Sequence, residues 1–546
     1  MQSPPLRGSR AGRLGFGFLI ASFLLYAACF IYRTSFTIHG ERYFSLFDDA
    51  MISMRYAHNF VRGHGLVWNI GRPAVEGYTN FLWVLFMAAI HLLPLPASRT
   101  ALLVQISAAG LLAANLALVR EAALWVADAG PEPVAFGAVG MTASYLPLNN
   151  WGLQGMEVSL LVLVMSACLC VALRSMQDGR FRAAPYVWLG ASTLVRPDMA
   201  VPLIAWLLFH AVADPPRRVR HAAWALGALA VCGGLQTIFR LWYFGSALPN
   251  TYYLKMTGYP SLLRVSRGAV VLSGFIWRFG AVLFALPFVL VLRRDRRVGL
   301  LLWMFVVQVA YSVYVGGDAW EYWGGSNRYI SIAMPAFFVV LSLALYRTAV
   351  ALAQRLELTG THRRRGILMA FAVLLGVTIL QANSIYGFDA WKEVLLLRPP
   401  LHSGPGGENH DEVQEALALR ELTTPDAILA VTRAGTIPYF TDRPGVDLLG
   451  KNDTVVAREP IAVPAGRERF WAFRPGHMKF DYRYAIEQQQ PDVVVQLWHH
   501  REAILPYLHR FYTPVAVAGH CVYVRNSSPH VLWNKLPPPG CDEHGQ

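Results

Sequence analysis

The residues most able to do chemistry lie in FSLFDDAMISMRYAHNFVRGHGLVWN, residues 44–69, which contains the adjacent carboxylates Asp48 and Asp49. Residues 48–62 have a helical pattern ended by Gly63, so both acids are predicted at or near a helix start. There a carboxylate caps the helix and offsets its dipole. A cap needs only one carboxylate. The other is free to act as a general base toward an incoming hydroxyl, an effect of about 10²- to 10⁴-fold in rate.

A second group of candidates combines a basic side chain with tyrosines. The stretch YFGSALPNTYYLK, residues 243–255, has a Pro-Asn turn followed by Tyr252, Tyr253 and Lys255. In such a turn the lysine can supply a point charge, and the tyrosine hydroxyls can supply donors, to a bound phosphate. The alternative is an interfacial aromatic belt in which Lys255 snorkels to the membrane surface and has no ligand.

Arginines in two other polar loops are candidates for the same phosphate. They are Arg196 in LVRPDM and Arg328 in SNRYI, and for each the alternative is a structural ion pair with Asp198 or Asp318. Other side chains able to bind a sugar or a charged group occur in the same set of loops: Arg55, Glu76, Tyr78, Asn250, Glu157, Asp198 and Asp318.

The composition is that of a protein embedded in a membrane. Of the 546 residues, 55% are hydrophobic and only 15% are charged, and the mean hydropathy is +0.36. These values exclude an ordinary soluble enzyme and predict a polytopic, mainly α-helical membrane protein. The net charge of +14 comes from arginine clusters between apolar runs, so it indicates membrane orientation rather than nucleic-acid binding.

Apolar runs long enough to be spans define the membrane part of the chain. They lie at 14–32, 79–94, 100–119, 131–147, 157–173, 183–195, 199–213, 221–239, 268–292, 298–315, 329–346 and 366–384. The first is interpreted as a retained helix rather than a signal peptide, because it is long enough to span and lacks a convincing cleavage site.

The arginine clusters predict which loops face the cytoplasm. They occur at 7–13, 174–182, 217–220, 293–297 and 347–366. With these loops and the N-terminus in the cytoplasm, the runs at 100–119 and 131–147 must supply one net crossing between them. The twelve runs therefore predict about eleven transmembrane helices. The loops at 33–78, 149–157, 196–198, 240–266 and 316–328 then emerge on the outer face, together with everything after residue 384.

Residues 385–546 are predicted to form a separate soluble α/β domain on that outer face. AILAVT (427–432) and PDVVVQLW (491–498) have the composition of buried strands, and DEVQEALALREL (411–422) has a helical pattern. Three polar or glycine-containing turns follow apolar stretches, which is the usual place for sites in open α/β sheets: TRAGTIPYF, VDLLGKND and PGHMKFDY. His477 and Lys479 in the last of these are candidates for contact with an anion, although a lone histidine is more often structural.

The six cysteines suggest one disulfide. Cys29, Cys168, Cys170 and Cys232 lie in apolar segments, where small packing residues are expected. Cys521 and Cys541 lie in the polar tail and can pair if that tail is in an oxidising compartment. The sequence contains no CxxC or His/Cys pattern typical of a metal site.

Taken in order, these motifs resemble a known family. FDDAMISMRYAHNFVRGHGLVWN followed by VEGYTNFLW resembles the first outer loop and second helix of bacterial GT-C membrane glycosyltransferases. The likeness is greatest to the terminal β-(1→2)-arabinofuranosyltransferase family of mycobacterial cell walls and its proteobacterial relatives, some labelled flagellar motor control protein ZomB. Further similar motifs follow in the family's order: GMEVSLLVL, LVRPDM, LPNTYYLK, YVGGDAW with Arg328 and Pro335, AGTIPYF, DLLGKND and PGHMKFDY.

The resemblance implies an inverting transferase in the bacterial inner membrane. It would move a sugar, a pentofuranose such as arabinofuranose, from a polyprenyl-phosphate donor to an envelope glycan, lipid-linked or protein acceptor on the periplasmic face. Asp48 and Asp49 match the position of the family's base, and Lys255 and Arg328 would meet the donor phosphate, with Arg196, Tyr252, His477 and Lys479 as further candidates. GGDAWEYWGGSNRY departs from the compact Asp-to-Arg spacing expected there, which leaves the acceptor and the sugar open.

The reaction chemistry and the positions of the charges bear on the need for a metal ion and on the alternative functions. The leaving group is already a phosphate, so a carboxylate base with nearby positive charge could suffice, and a divalent cation is optional. A transporter or flippase would show interrupted helices and ionisable groups near the bilayer midplane, whereas the charges here lie in loops. A non-catalytic membrane partner, such as a motor-control or assembly factor, remains the main alternative.

Overall fold

A computed structural model of the protein describes residues 9–128, 130–321, 327–384, 390–399, 403–461, 466 and 472–541. Its helices, in chain order, are α1 (Arg10–Thr34), α2 (Asp48–Val61), α3 (Phe81–His91), α4 (Ala97–Val126), α5 (Pro131–Ala143), α6 (Leu146–Leu153), α7 (Val158–Asp178), α8 (Ala184–Ser192), α9 (Ala200–Ala213), α10 (Arg218–Phe244), α11 (Asn250–Met256), α12 (Ser261–Phe279), α13 (Ala281–Val289), α14 (Arg296–Val315), α15 (Arg328–Ser331), α16 (Met334–Arg355), α17 (Gly360–Asn383), α18 (Ala390–Val394), α19 (Glu408–Leu422), α20 (Thr436–Thr441) and α21 (Leu505–Phe511). The strands are β1 (Phe36–Ile38), β2 (Glu41–Tyr43), β3 (Leu429–Val431), β4 (Gly445–Asp447), β5 (Val493–Val494), β6 (Tyr512–Val517) and β7 (His520–Arg525).

The chain up to Asn383 is mostly helical and contains several helices apolar enough to cross a membrane. Within the described residues, seven helices have the length and hydropathy of a span, or eight if α12 and α13 count as one. The seven are α1, α4, α7, α10 with the short turn before it, α14, α16 and α17. The mainly α-helical membrane fold is therefore confirmed, while the total of eleven spans stays a prediction.

Three of the predicted spans have a different form in the structure. The run at 131–147 is divided between α5 and α6, because Pro147 occupies the first turn of a new helix. The run at 183–195 contains only the nine-residue α8, which ends before Arg196 and Pro197. The run at 268–292 bends by 92° between α12 and α13, where Gly280 has a φ of +92° that breaks the helix.

The segment between α1 and α3 folds against both the helical bundle and the C-terminal part. Strands β1 and β2 form an antiparallel hairpin, and α2 follows it. Helix α2 packs on α3 from one side and on α20 from the other. Its apolar residues recur at three- and four-residue spacing, for example Ala50, Met54 and Ala57, and all three are fully buried.

The C-terminal segment contains a five-stranded mixed sheet in the order β4-β3-β5-β7-β6. Strands β4, β3 and β5 are parallel, whereas β7 runs antiparallel to β5 and forms a hairpin with β6. The strands predicted in AILAVT and PDVVVQLW are β3 and β5, and the predicted helix is α19, so the expected α/β architecture is confirmed. The predicted boundary after residue 384 adjoins residues 385–389, which lie outside the described part.

Cys521 and Cys541 are joined by a disulfide, with Cα atoms 5.5 Å apart. It ties strand β7 to the last described residue of the chain. Cys29, Cys168, Cys170 and Cys232 are free thiols.

We expect Cys521 and Cys541 to resist alkylation when the protein is unfolded in detergent without reductant, because a disulfide leaves no thiol to react. The four free cysteines should react in the same sample and act as the internal control. Peptide mapping by mass spectrometry before and after reduction checks this, and recovery of both tail cysteines as alkylated thiols before reduction would contradict the pairing.

Candidate active site

The two adjacent aspartates at the start of α2 point in different directions. Consecutive residues on a helix are separated by about 100° around its axis. Asp48 therefore shares a face with Arg55, seven positions on, whereas Asp49 shares a face with Ile52 and Ser53. The first face contacts the C-terminal domain, and the second lines a cavity.

Neither aspartate caps α2 through its side chain, which corrects the predicted capping role. The N-cap residue is Phe47, and it makes no side-chain hydrogen bond; both acids lie in the first turn. The Asp48 carboxylate instead accepts hydrogen bonds from the backbone N–H groups of Gly435 (3.0 Å) and Thr436 (2.9 Å), at the start of α20. A Cβ at Gly435 would lie 2.1 Å from the Asp48 carbonyl oxygen, so only glycine permits this approach.

The carboxyl end of the parallel strands brings a lysine to Asp49. Because β3 and β4 are parallel, the turns that follow them lie at the same sheet edge. The turn after β3 contains Gly435, which binds Asp48. The turn after β4 contains Lys451, whose ammonium makes an ion pair with Asp49.

The turn that presents Lys451 is held in shape by buried polar groups. Asp447, at the end of β4, accepts from the backbone N–H groups of Leu449 (3.0 Å), Gly450 (3.1 Å) and Asn452 (2.8 Å). From the membrane side, the Asn250 side-chain amide donates to the carbonyls of Gly450, Lys451 and Asp453 at 2.9–3.0 Å. Asn250 therefore positions Lys451 rather than facing the cavity.

A second cation reaches Asp49 from α15. Arg328 donates from one terminal nitrogen to Asp49 (3.2 Å) and, from Nε and the other nitrogen, to both oxygens of Asp318 (2.8 and 3.2 Å). Its guanidinium also lies 4.9 Å from the ring centre of Trp151. The carboxylates and the indole fix the plane of the guanidinium, so Arg328 is preorganised.

Asp49, Lys451 and Arg328 border a cavity of about 210 Å³ between α2, α10, α11 and α14. Of the predicted site residues, the cavity wall also contains Tyr78, Glu157, Arg196, Asp198, Tyr252 and Lys255. Arg196 forms an ion pair with Asp198 (2.5 Å) and lies 3.6 Å from Glu157. The ion pairs proposed as alternatives for Arg196 and Arg328 are thus present, although both arginines still line the cavity.

Lys255 is the cavity cation that the fold leaves available. It has no ion pair or hydrogen bond with another described residue, whereas Lys451, Arg328, Arg196 and Arg240 are each paired. Burial, together with the nearby charge of Arg328, lowers the pKa of Lys255 to about 8. Lys255 is therefore charged at neutral pH and ready for an anion.

The cations control the acidity of Asp49. Burial by itself would raise the pKa of Asp49, but Lys451, Arg328 and Lys255 together hold the pKa of that carboxyl far below its usual value. Asp48 differs, since burial raises its pKa above the usual value despite Lys451 and the Thr436 N–H. Two neighbouring carboxylates thus have opposite environments, and only Asp49 faces the cavity.

Several predicted site residues lie outside the cavity wall. Arg55 is buried and donates to the carbonyls of Trp68 (2.7 Å), Pro438 and Arg443 (2.7 Å), so it links α2 to the C-terminal domain. The Lys479 ammonium donates to the carbonyls of Tyr253 (3.0 Å) and Ala457 (2.7 Å). Asp318 pairs with Arg328 (2.8 Å). His477 is buried, close enough to Asp49 and Lys451 for their charges to act on it. Glu76 binds Arg240 (2.7 Å), which itself lines the cavity.

Sequence reasoning missed Lys451, Arg240 and Tyr329 as cavity residues. A signal for Lys451 existed, because VDLLGKND is one of the turns predicted to contain site residues. Arg240 directly follows the apolar run at 221–239 and lies inside α10, where a charged residue itself marks a candidate site. Within the described residues, no group of three or more His, Cys, Asp or Glu side chains could hold a metal ion.

Gly476 supports Lys255, which gives a test of the cavity geometry. At Gly476 (φ +83°), an added Cβ would lie 3.0 Å from Lys255 Cε and 3.2 Å from its Cγ. We expect Gly476→Ala to displace the lysine stem and to weaken binding of an anionic ligand several-fold. Gly519→Ala is the matched control, since Gly519 has a φ of +86° with nothing within 4 Å. Anion binding by the two variants, measured by isothermal titration, should differ; equal losses would mean that backbone strain alone is responsible.

Part of the C-terminal segment is similar to one sequence family. Residues 406–531 match a family described as a domain of unknown function, DUF8728. No curated protein matches the sequence.

Solved structures match nearly the whole chain. ArnT from Cupriavidus metallidurans bound to undecaprenyl phosphate is 13% identical, with a TM-score of 0.53, 94% of this chain covered and 98% of ArnT. The same protein in the apo state has a TM-score of 0.55 at 14% identity, with the same coverage. The oligosaccharyltransferase AglB from Archaeoglobus fulgidus, in complex with an inhibitory peptide and a dolichol-phosphate, is 12% identical with a TM-score of 0.56, covering 96% of this chain and 76% of AglB. At this identity the likeness concerns the fold, which is GT-C-like, as the motifs predict.

Proposed function

We propose that the protein is an inverting glycosyltransferase that takes a sugar from a polyprenyl-phosphate donor. The observation that carries this proposal is the convergence of Asp49, Lys451, Arg328 and Lys255 on one cavity. A donor of this kind needs a carboxylate for the acceptor and cations for the phosphate, within reach of the bilayer. The GT-C-like fold of structures bound to undecaprenyl phosphate and dolichol-phosphate supports the same class of donor.

In the proposed reaction, the acceptor hydroxyl attacks the anomeric carbon and passes its proton to Asp49. The bond between that carbon and the phosphate oxygen breaks, and the leaving polyprenyl phosphate keeps the electron pair. Lys255, Lys451 and Arg328 stabilise the negative charge on the phosphate. Attack opposite the leaving group inverts the anomeric configuration.

Donor binding would also make Asp49 a better base. In the free protein, Lys451 and Arg328 hold Asp49 as a weakly basic carboxylate. A phosphate beside the same cations competes for their positive charge and their hydrogen bonds, so the pKa of Asp49 rises toward its usual range. Asp49 would then take the proton of the acceptor hydroxyl only when the donor is bound.

The finer features rest on the sequence motifs and the arginine distribution. We propose a bacterial inner-membrane location, with the cavity and the C-terminal domain on the periplasmic face. The sugar would be a pentofuranose such as arabinofuranose, and the acceptor an envelope glycan. Asp48 would hold the C-terminal domain against α2, so that Lys451 stays beside Asp49.

The test is transfer by the purified protein from a radiolabelled panel of polyprenyl-phosphate sugars to envelope glycan extracts. We expect at least one donor to be consumed with inversion, and a pentofuranose to be the best substrate. If no donor in the panel is turned over by folded protein, the enzyme proposal fails and a non-catalytic role in the membrane is favoured instead.

The pKa of Lys255 gives a pH prediction. Because that pKa is about 8, Lys255 loses its charge as the pH rises through 8, and kcat/KM for the donor should fall with it. Lys255→Arg should remove this fall, since a guanidinium stays charged beyond pH 10. Lys451→Arg is the control and should keep it, because Asp49 and Asp48 outweigh burial and raise the pKa of Lys451. An alkaline fall unchanged in Lys255→Arg would contradict the assignment.

A further inference from the structure

A second cavity lies at the opposite ends of the helices that carry the candidate active site. Helix α7 begins beside Glu157 at the first cavity and ends at Asp178, next to the second. Helix α10 likewise extends from the second cavity to Arg240 at the first. The 21 residues of α7 span about 30 Å at 1.5 Å per residue. The two cavities are therefore separate sites, one near each membrane surface.

This second cavity has a volume of about 350 Å³ and an excess of positive charge. Four arginines line it: Arg180, Arg182, Arg217 and Arg296. Asp214 is the acid in its wall, and it pairs with Arg217 at 3.4 Å. Arg182 pairs with Asp178 just outside. Four guanidiniums thus face two carboxylates, and neither Arg180 nor Arg296 has an ion pair with any described residue.

A buried histidine with one unpartnered ring nitrogen lines the same cavity. His210 is only 8% exposed, and its Nε2 atom has no partner among the described residues. Its ring stacks on His221 with centroids 5.1 Å apart and an interplanar angle of 13°. His221, in contrast, bonds to Tyr186 and lies 3.3 Å from Asp214. A buried polar atom left without a partner is costly, so the Nε2 of His210 indicates a ligand.

The chemistry of this wall fits a phosphate group. Guanidiniums bind phosphate oxygens with two parallel hydrogen bonds, and a histidine Nε2–H can supply one more. Trp206 and Phe181 add apolar surface beside the cations, which suits the glycerol and upper acyl chain of a lipid. Basic pockets between transmembrane helices on the arginine-rich side are the usual binding places for anionic head groups.

From these features we infer that the protein binds a phosphate group in the cavity formed by the ends of α7 and α9 and the starts of α8, α10 and α14. The phosphate belongs either to an anionic membrane phospholipid or to free phosphate in solution. This site takes no part in sugar transfer, and it does not depend on the proposed enzymatic function.

The test compares the full-length protein with a variant that removes two cavity charges, Arg180→Gln with Arg296→Gln. These positions are chosen because their loss leaves no carboxylate unpaired. The control is Arg364→Gln with Arg365→Gln, two exposed arginines near the start of α17. His210→Phe is a second variant, which keeps a ring in the stack but removes Nε2.

Two arms distinguish the sources of phosphate. Native mass spectrometry of protein from nanodiscs with phosphatidylglycerol or phosphatidylcholine detects retained lipid, and equilibrium dialysis detects radiolabelled inorganic phosphate. We expect one of the two ligands to bind the wild type and the arginine control with equal affinity. The same ligand should bind about tenfold more weakly to the double variant and several-fold more weakly to His210→Phe. If neither phosphatidylglycerol nor phosphate distinguishes the folded double variant from the arginine control, the inference is wrong.

Discussion

Asp49→Asn is expected to lower kcat for sugar transfer by about 10²- to 10⁴-fold, the usual contribution of a general base. The amide cannot accept the acceptor's proton, but it occupies nearly the same volume. It also frees Lys451 and Arg328 from their ion pairs with Asp49. The donor KM should therefore stay the same or fall, and this separates loss of the base from loss of binding. Steady-state transfer kinetics at several donor concentrations measure both constants.

Asp48→Asn is the matched control one residue earlier. Its Oδ1 atom can still accept from the N–H groups of Gly435 and Thr436, so the C-terminal domain should remain docked. We expect activity within about tenfold of the wild type, since no base is lost. Equal and large losses in kcat from both variants would contradict the division of roles between the two carboxylates.

Replacing Arg328 should have the largest effect on stability. In Arg328→Gln, the Asp318 carboxylate, whose side chain is 1% exposed, is left buried without its cation. Breaking a buried pair in this way costs about 3–5 kcal/mol. Transfer should also fall, because the phosphate and Asp49 both lose the guanidinium. Thermal unfolding in detergent and the transfer assay measure the two effects separately.

The double variant Arg328→Gln with Asp318→Asn distinguishes structure from catalysis. Removing the orphaned charge should restore most of the lost stability, whereas transfer should stay low because Arg328 is still absent. Recovery of transfer together with stability would mean that Arg328 acts only as the partner of Asp318.

Much of the membrane part and the identity of its reactive helix were predictable from local patterns. The apolar runs predicted most of the long helices. The periodicity after Asp48 predicted α2, which ends just before Gly63. The same periodicity separates the faces of Asp48 and Asp49, because residues seven apart share a face and adjacent ones do not. Arg55 therefore follows Asp48 toward the C-terminal domain, and its place away from the cavity was already implied by the helix.

The partners of Asp49 were harder to predict because they depend on long-range contacts. Lys451 is 402 residues further along the chain, and it reaches Asp49 only when the sheet edge docks on α2. Lys255 and Lys479 look equivalent in sequence, because each is a basic residue in a polar turn with an aromatic neighbour. Backbone carbonyls bind Lys479, whereas Lys255 meets none, and only the packed structure distinguishes them.

In the proposed donor complex, the phosphate of a polyprenyl-phosphate sugar binds between Lys255, Lys451 and Arg328, and the anomeric carbon of the sugar faces Asp49. The most direct measurement is a cryo-electron microscopy structure of the protein with a non-transferable analogue of that donor. We expect the phosphate within hydrogen-bond distance of Lys255 and at least one other of these cations, and an Asp49 carboxylate released from Lys451. A donor phosphate bound away from Lys255, with the Asp49 ion pairs intact, would contradict it.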